Sequence, residues 1–221
     1  MCDQQLWRKL WLALGDEFEL IHLVIPNKAS INGIINGLAT KLPNEAINLV
    51  GFSLGGYLAT ALANKYPDRI KTLSILANVP DKLLTEEVLT RGKIIQWVET
   101  WGYSGITLKR AKTFLHTCHQ ENSWILEQII TMDKTLGGKT LLQQLKSTTE
   151  RRNLLPHLGD CRFPILFAFG EADHLVNASV VVKLAKERPS IEYIEFSHCG
   201  HMLPLEQSQK CALNMYSFFI E

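Results

Sequence analysis

At 221 residues, 46% apolar and 20% charged, with a formal net charge of +1, the chain has the make-up of one soluble globular unit with an ample core. Balanced charge and a sequence pI near 7.7 exclude a general nucleic-acid binder, which needs a basic surplus to neutralise phosphates. A membrane span is excluded too, because no uninterrupted apolar run reaches the roughly 18–20 residues that cross a bilayer, and even 46–63 is broken by Asn48, Ser53 and Thr60.

The opening MCDQQLWRKLWLALGDEFEL carries acidic and polar residues from Asp3 onward and lacks a small-residue cleavage site, so it does not read as a secretory signal, and a cytoplasmic location is expected. Helical spacing predicts an amphipathic helix from Gln4 to Leu14, stopped by Gly15. The apolar run Phe18 to Ile25, closed by Pro26, predicts a buried strand. A helix follows from Ile31 to Leu42, Pro43-Asn44 turns the chain, and AINLVGF (46–52) is the next strand candidate. Helical spacing then runs from Leu54 to Pro67, and Lys71 to Asn78 is a third strand. PILFAFG (164–170) and IEYIEFS (191–197) are two more, with a helix near Ala178 to Arg188 between them. This alternation predicts an α/β fold, a mostly parallel sheet with helices on both faces.

Between Pro80 and Arg152 the alternation stops. Leu84, Val88, Ile95 and Val98 fall on one helical face there, so 80–152 is expected to be an inserted helical lid, and 1–79 with 153–221 the core. The insertion holds 11 Lys and Arg against 8 Asp and Glu, a net +3, where the rest of the chain holds 12 against 14. A solvated basic face and a lid selecting anionic substrates both fit this excess. Trp97, Trp101 and Trp124 lie in the insertion, where they either fill a helical core or wall an acyl pocket above the sheet.

The segment NLVGFSLGGYLA places Gly51, Ser53 and Gly55 as G-x-S-x-G at the junction of an expected strand and an expected helix. That junction suits a nucleophile on a sharp turn, with small neighbours to avoid clashes and free amides at the start of the next helix. A serine needs a base to take its proton and an acid to orient the base. Asp173 follows the strand PILFAFG and His201 follows IEYIEFS, both at carboxyl ends of strands, where open α/β sheets hold their ligands. The order is Ser, Asp, His. Leu54, immediately after the nucleophile, is the candidate backbone donor to an oxyanion.

On these residues the chain resembles the α/β-hydrolase superfamily over nearly its whole length. GFSLGG resembles that family's nucleophile elbow, GEADHLV its acid turn and GHMLPLEQ its histidine loop. ERRNLLPHLGDCRFPILFAFGEAD is similar to the stretch by which such enzymes leave the lid, and CDQQLWRKLWLAL to the helix that follows the oxyanion loop in esterase-like members. The resemblance implies hydrolysis of a small ester or thioester through an acyl-enzyme on Ser53, without cofactor or metal, the partner being a small acyl substrate. A non-catalytic binding module and a C–C bond hydrolase or lyase on the same scaffold are the alternatives.

In the superfamily a strand ending in His-Gly or Pro-Gly lies between those corresponding to Phe18–Ile25 and Ala46–Phe52, and the residue after it gives the second oxyanion amide. No such run precedes Cys2-Asp3 in this sequence. The resemblance therefore implies either an upstream extension that supplies it or a sheet closed around a gap. Without it, the 221-residue form is expected to be less stable, prone to aggregation and deficient in turnover.

Single residues have competing readings. Cys2, Cys118, Cys161, Cys199 and Cys211 are odd in number and scattered, as ordinary small buried residues are. HCGH (198–201) lacks further ligands at helical spacing and sits on the histidine loop, so no metal is expected there. His174 is an exposed turn residue or a weaker base, Cys2 a packing residue, and Asp160 precedes its strand and so lies at the wrong sheet edge.

Overall fold

In the computed structural model, which describes residues 1–220, four parallel strands form one sheet in the order β1 (Ile47–Phe52), β2 (Ile70–Leu76), β3 (Ile165–Gly170), β4 (Ile191–Phe196). Helices α1 (Arg8–Leu14) and α2 (Ile31–Ala39) precede the sheet, and α3 (Leu54–Lys65) joins β1 to β2. Helices α4 (Thr85–Trp101), α5 (Leu108–Lys112), α6 (Ser123–Thr148, kinked at Gly137) and α7 (Leu155–Leu158) stand between β2 and β3. Helix α8 (Ala178–Glu187) joins β3 to β4, and α9 (Leu203–Glu206) and α10 (Ser208–Ile220) follow.

The central strand β3 is apolar and buried throughout because helices cover both faces of the sheet there, whereas β4 at the sheet edge exposes Glu192 and Glu195. Along β3 the side chains alternate: Ile165, Phe167 and Phe169 join the core shared with α2, α3 and α8, while Leu166 and Ala168 join the core shared with α1 and α10. Helix α2 starts where the Ser30 hydroxyl accepts the Gly33 N–H at 3.2 Å, and it buries Ile34, Ile35 and Leu38. No helix among the described residues is long and apolar enough to cross a membrane.

The 80–152 segment is helical, and its two ends meet. The Leu154 N–H donates to Pro80 O at 2.9 Å, and Tyr57 of α3 both donates to Arg152 O (3.1 Å) and accepts from Arg152 N–H (3.0 Å). Ala111, Leu115, Ile125, Ile129 and Met132 from this segment pack into the same core as Leu6 and Leu10.

The expected strand Phe18–Ile25 does not form. These residues belong to no helix or strand, although Phe18 and Leu20 pack on one core and Leu23 and Ile25 on the other. A ladder requires a neighbouring backbone at about 4.8 Å. Across from this run lies instead a hollow of about 1930 Å³, whose far wall is β1, the edge strand of the sheet. Burial explains the apolar pattern of the run, and the missing neighbour explains why it is not a strand. The sheet has not closed over the gap.

Candidate active site

Strand β1 ends at Phe52, and Ser53 adopts φ 51° and ψ −120° before α3 begins. A side-chain-bearing residue in this conformation carries about 1–3 kcal/mol of strain. Neighbouring bonds hold it there: the Ser53 N–H donates to Leu76 O at 2.9 Å, and Ser53 O accepts the Gly56 N–H at 2.9 Å. The turn depends on two close approaches. A Cβ on Gly51 would overlap the Gly55 carbonyl, and one on Gly56 would come within 2.9 Å of the Asn78 Cβ. Around Gly55 there is open space. The crowding anticipated from G-x-S-x-G therefore sits at Gly51 and Gly56. Gly51→Ala should destabilise the protein by roughly 3 kcal/mol, as overpacking against backbone does. Gly55→Ala, inside a helix, should stay within about 1 kcal/mol of wild type. Urea unfolding midpoints of the two variants make the comparison.

His201 and Asp173 converge on this serine. His201 Nε2 stands 3.1 Å from Ser53 Oγ, and His201 Nδ1 stands 2.9 Å from Asp173 Oδ2 and 3.1 Å from Oδ1. Asp173 and His201 are both buried. Asp173 is set in the turn after β3, where its N–H donates to Gly170 O at 3.0 Å and its carboxylate also accepts the Leu175 N–H at 3.0 Å. With Asp173 ionised, Nδ1–H donates to it, and the Nε2 lone pair is left to accept the serine hydroxyl proton. The imidazole lies between the rings of Phe52 (5.2 Å between centroids) and Phe114 (5.8 Å), and the His201 N–H donates to Phe114 O at 2.7 Å. Leu54 opens α3, so its N–H is one of the first-turn amides that have no partner within the helix. Ser53, Leu54 and His201 all line the 1930 Å³ hollow, whose wall is mostly apolar.

Glu206 is a positioning residue that sequence reasoning missed. Its buried carboxylate accepts the backbone N–H groups of Gly200 (3.1 Å to each oxygen), Met202 (3.0 Å) and His116 (2.8 Å), so it braces the chain on both sides of His201. Burial pushes the carboxyl above its usual range, and the three amides partly offset the shift. The available signal was an acidic residue inside MLPLE, where the other four residues are buried and apolar. Glu206→Gln turns one acceptor into a donor facing amides. Hydrogen bonds to a charged group contribute about 1.5–3 kcal/mol each, so a stability loss of about 3 kcal/mol is expected, read as a lower denaturation midpoint.

The three tryptophans lie away from the hollow. Trp97 and Trp101 are exposed at 65% and 73% and pack on each other along α4 at 6.2 Å between centroids. Trp124, at the start of α6, sits under the Lys9 ammonium at 3.4 Å from the ring centroid. None of them lines the hollow with Ser53, because this face of α4 turns to solvent while Leu136, Thr140, Leu141 and Leu145 of α6 reach the wall instead. Cys199 is buried, its thiol pushed up by burial, and it faces Gly200 O at 3.5 Å. Cys2 lines the hollow with its thiol pushed up by burial to about 11, so it is protonated at neutral pH. His174 and Asp160 are exposed.

Residues 27–104 match a family profile described as alpha/beta hydrolase fold. Among curated proteins, the chain is 27% identical over 188 residues to the 2-hydroxy-6-oxononadienedioate/2-hydroxy-6-oxononatrienedioate hydrolase of Paraburkholderia phymatum, covering 80% of this chain and 63% of that one. It is 20% identical over 218 residues to the pimeloyl-[acyl-carrier protein] methyl ester esterase of Legionella pneumophila, covering 90% and 83%. The chain thus spans less than two thirds of the length of the hydrolase first named. Among solved structures, a thermophilic esterase from Thermogutta terrifontis superimposes with a TM-score of 0.83 at 21% identity, over 99% of this chain and 86% of the other. The enol-lactonase from Burkholderia xenovorans gives 0.77 at 18% identity, over 100% and 88%.

Proposed function

From the premise that this chain is a member of the α/β-hydrolase superfamily, we propose that it is a serine hydrolase that cleaves a small carboxylic ester or thioester through an acyl-enzyme on Ser53. The observation that carries the reading is the continuous line of contacts from Ser53 Oγ through the two His201 nitrogens to the Asp173 carboxylate, at 3.1 and 2.9 Å.

The steps follow from those atoms. Ser53 Oγ attacks the acyl carbonyl while His201 Nε2 takes its proton, and Asp173 stabilises the imidazolium that forms. The Leu54 N–H donates to the oxyanion of the tetrahedral intermediate. His201 then returns the proton to the departing alcohol or thiol, leaving the acyl group on Ser53. A water, deprotonated by the same Nε2, attacks the acyl carbon, and His201 returns that proton to Ser53 Oγ as the acyl–oxygen bond breaks and the acid leaves. Besides substrate and water, these transfers use Ser53, His201, Asp173 and the Leu54 N–H.

The 80–152 segment acts in this reading as a lid over 1–79 and 153–221. Its closure at Pro80 and Leu154 supports that role, as do Phe114 beside the His201 ring and α6 in the wall of the hollow. The acyl chain would lie against Leu141 and Leu145 rather than the tryptophans. A C–C bond hydrolase is the second reading, favoured by the similarity to the oxononadienedioate hydrolase. A non-catalytic binding module is disfavoured by the 3.1 Å contact of Ser53 with His201.

A fluorophosphonate probe followed by a substrate panel tests the proposal. Wild type should label once and Ser53→Ala should not. A p-nitrophenyl ester or an acyl thioester should turn over, whereas turnover of a vinylogous diketone alone would favour the C–C reading. Equal labelling of wild type and Ser53→Ala would remove the serine hydrolase reading.

A further inference from the structure

We propose that His116, Cys118 and His198 form a zinc-binding site on the surface beside the histidine loop. Each residue offers one donor atom, and the three donors lie within 4.8 Å of one another. His116 and Cys118 belong to the turn after α5, and His198 to the loop after β4, so 80 positions separate Cys118 from His198 in the chain. Tetrahedral Zn²⁺ holds imidazole nitrogen at about 2.0–2.1 Å and thiolate sulfur at about 2.3 Å, which sets donors roughly 3.3–3.8 Å apart. His116 Nδ1 and Cys118 Sγ stand 2.9 Å apart, so on binding zinc their side chains would move apart to that spacing.

The hydrogen bonds place His116 Nδ1 beside the thiol. Its Nδ1 accepts the Cys118 N–H at 3.2 Å and lies 2.9 Å from Cys118 Sγ, so zinc would take this lone pair in exchange for the Cys118 N–H. The proton is then on Nε2, which faces Glu171 Oε1 at 3.6 Å. A carboxylate on the far nitrogen is the usual support of a zinc-bound imidazole, fixing its tautomer and orientation. The same Glu171 oxygen accepts the His198 N–H at 2.6 Å, and the two imidazoles meet edge to face at 5.4 Å between centroids. Glu171 thus fixes the His198 backbone and lies beside the far nitrogen of His116.

The donor set excludes hard cations and favours a borderline-soft one. Two imidazoles and one thiolate suit Zn²⁺, whereas Mg²⁺ and Ca²⁺ require oxygen ligands. Cys118 and His198 are exposed, which gives the ion access, and three protein ligands leave a fourth position for water. On binding, the Cys118 S–H bond breaks, the S–Zn bond forms and the proton passes to the solvent. HCGH alone supplies no metal site; the cluster uses His198 of that motif but draws its partners from elsewhere, while Cys199 is buried in the core. Because Phe114 O holds the His201 N–H, bound zinc would tie 116–118 to the loop carrying His201.

EDTA-stripped protein titrated with ZnCl₂ against a chromophoric chelator, and with CoCl₂ by absorption, tests the site. Wild type should take one ion per chain, show a thiolate-to-Co²⁺ charge-transfer band and gain Tm with zinc. Cys118→Ser and His198→Ala, both at exposed positions, should each lose at least tenfold in zinc affinity, and Cys118→Ser should lose the band and the Tm gain. Glu171→Gln should weaken binding about 10- to 100-fold, and Cys161→Ser should leave it unchanged. No zinc binding by wild type, or a loss under tenfold in both ligand variants, would overturn the proposal.

Discussion

Ser53→Ala and His201→Ala should each lower ester turnover by about 10⁴- to 10⁶-fold, and the double variant should be little worse than either single one. In the proposed mechanism the two side chains act as one device. Ser53 Oγ is 3.1 Å from His201 Nε2, so in that mechanism the hydroxyl is a nucleophile only while that nitrogen can take its proton, and the nitrogen has no other proton to take in the first step. The hydroxyl points into the hollow rather than supporting the fold, so the denaturation midpoint of Ser53→Ala should change little. His201→Ala leaves space between Phe52 and Phe114 and should lower it. Comparing kcat, KM and unfolding midpoints for the two single variants and the double variant separates chemistry from folding. Additive losses would mean that the residues work independently and would remove the proposed mechanism.

Asp173→Asn should cost about 10⁴-fold in kcat with the fold intact, the magnitude seen when a triad acid becomes an amide. The Leu175 N–H, at 3.0 Å, needs an acceptor and would claim the carboxamide oxygen. The amide NH₂ then faces His201 Nδ1, which must become an acceptor, and the imidazole proton moves to Nε2. Nε2–H would point at Ser53 Oγ and could no longer take its proton. The expected signature is a fall in kcat with KM little changed and an unfolding midpoint close to wild type. Loss of less than tenfold would show that Asp173 does not set the tautomer.

Ser53, His201 and Asp173 are all legible in the chain itself. Strand-to-helix junctions are written locally: AINLVGF and PILFAFG are short apolar runs because these strands lie against packed helices, and the first few residues after each run fall at the carboxyl edge by the geometry of a parallel sheet. Ser53, Asp173 and His201 were therefore placed by chain position alone, and their order followed. Local chemistry also set the elbow, since the methyl that Gly51 lacks would have met the Gly55 carbonyl only four residues on.

What remained hidden depends on which distant backbones become neighbours. An apolar run such as Phe18–Ile25 reports that its side chains are buried, but only a second backbone alongside makes it a strand, and here the hollow before β1 lies in that place. Tryptophan in a helical segment reports an apolar ring, but the way α4 packs against α6 leaves Trp97 and Trp101 facing solvent. Glu206 stands five residues from His201 and could have been named; its three amide partners could not, because one of them, His116, is 90 positions away. The meeting of His116 and Cys118 with His198 has the same cause. Sequence determined which residues could do chemistry at the sheet edge, because periodicity and turns act over a few residues. Tertiary packing alone decided which long-range partners brace them and where the cavity opens, because those contacts close loops of scores of residues whose spacing leaves no local trace.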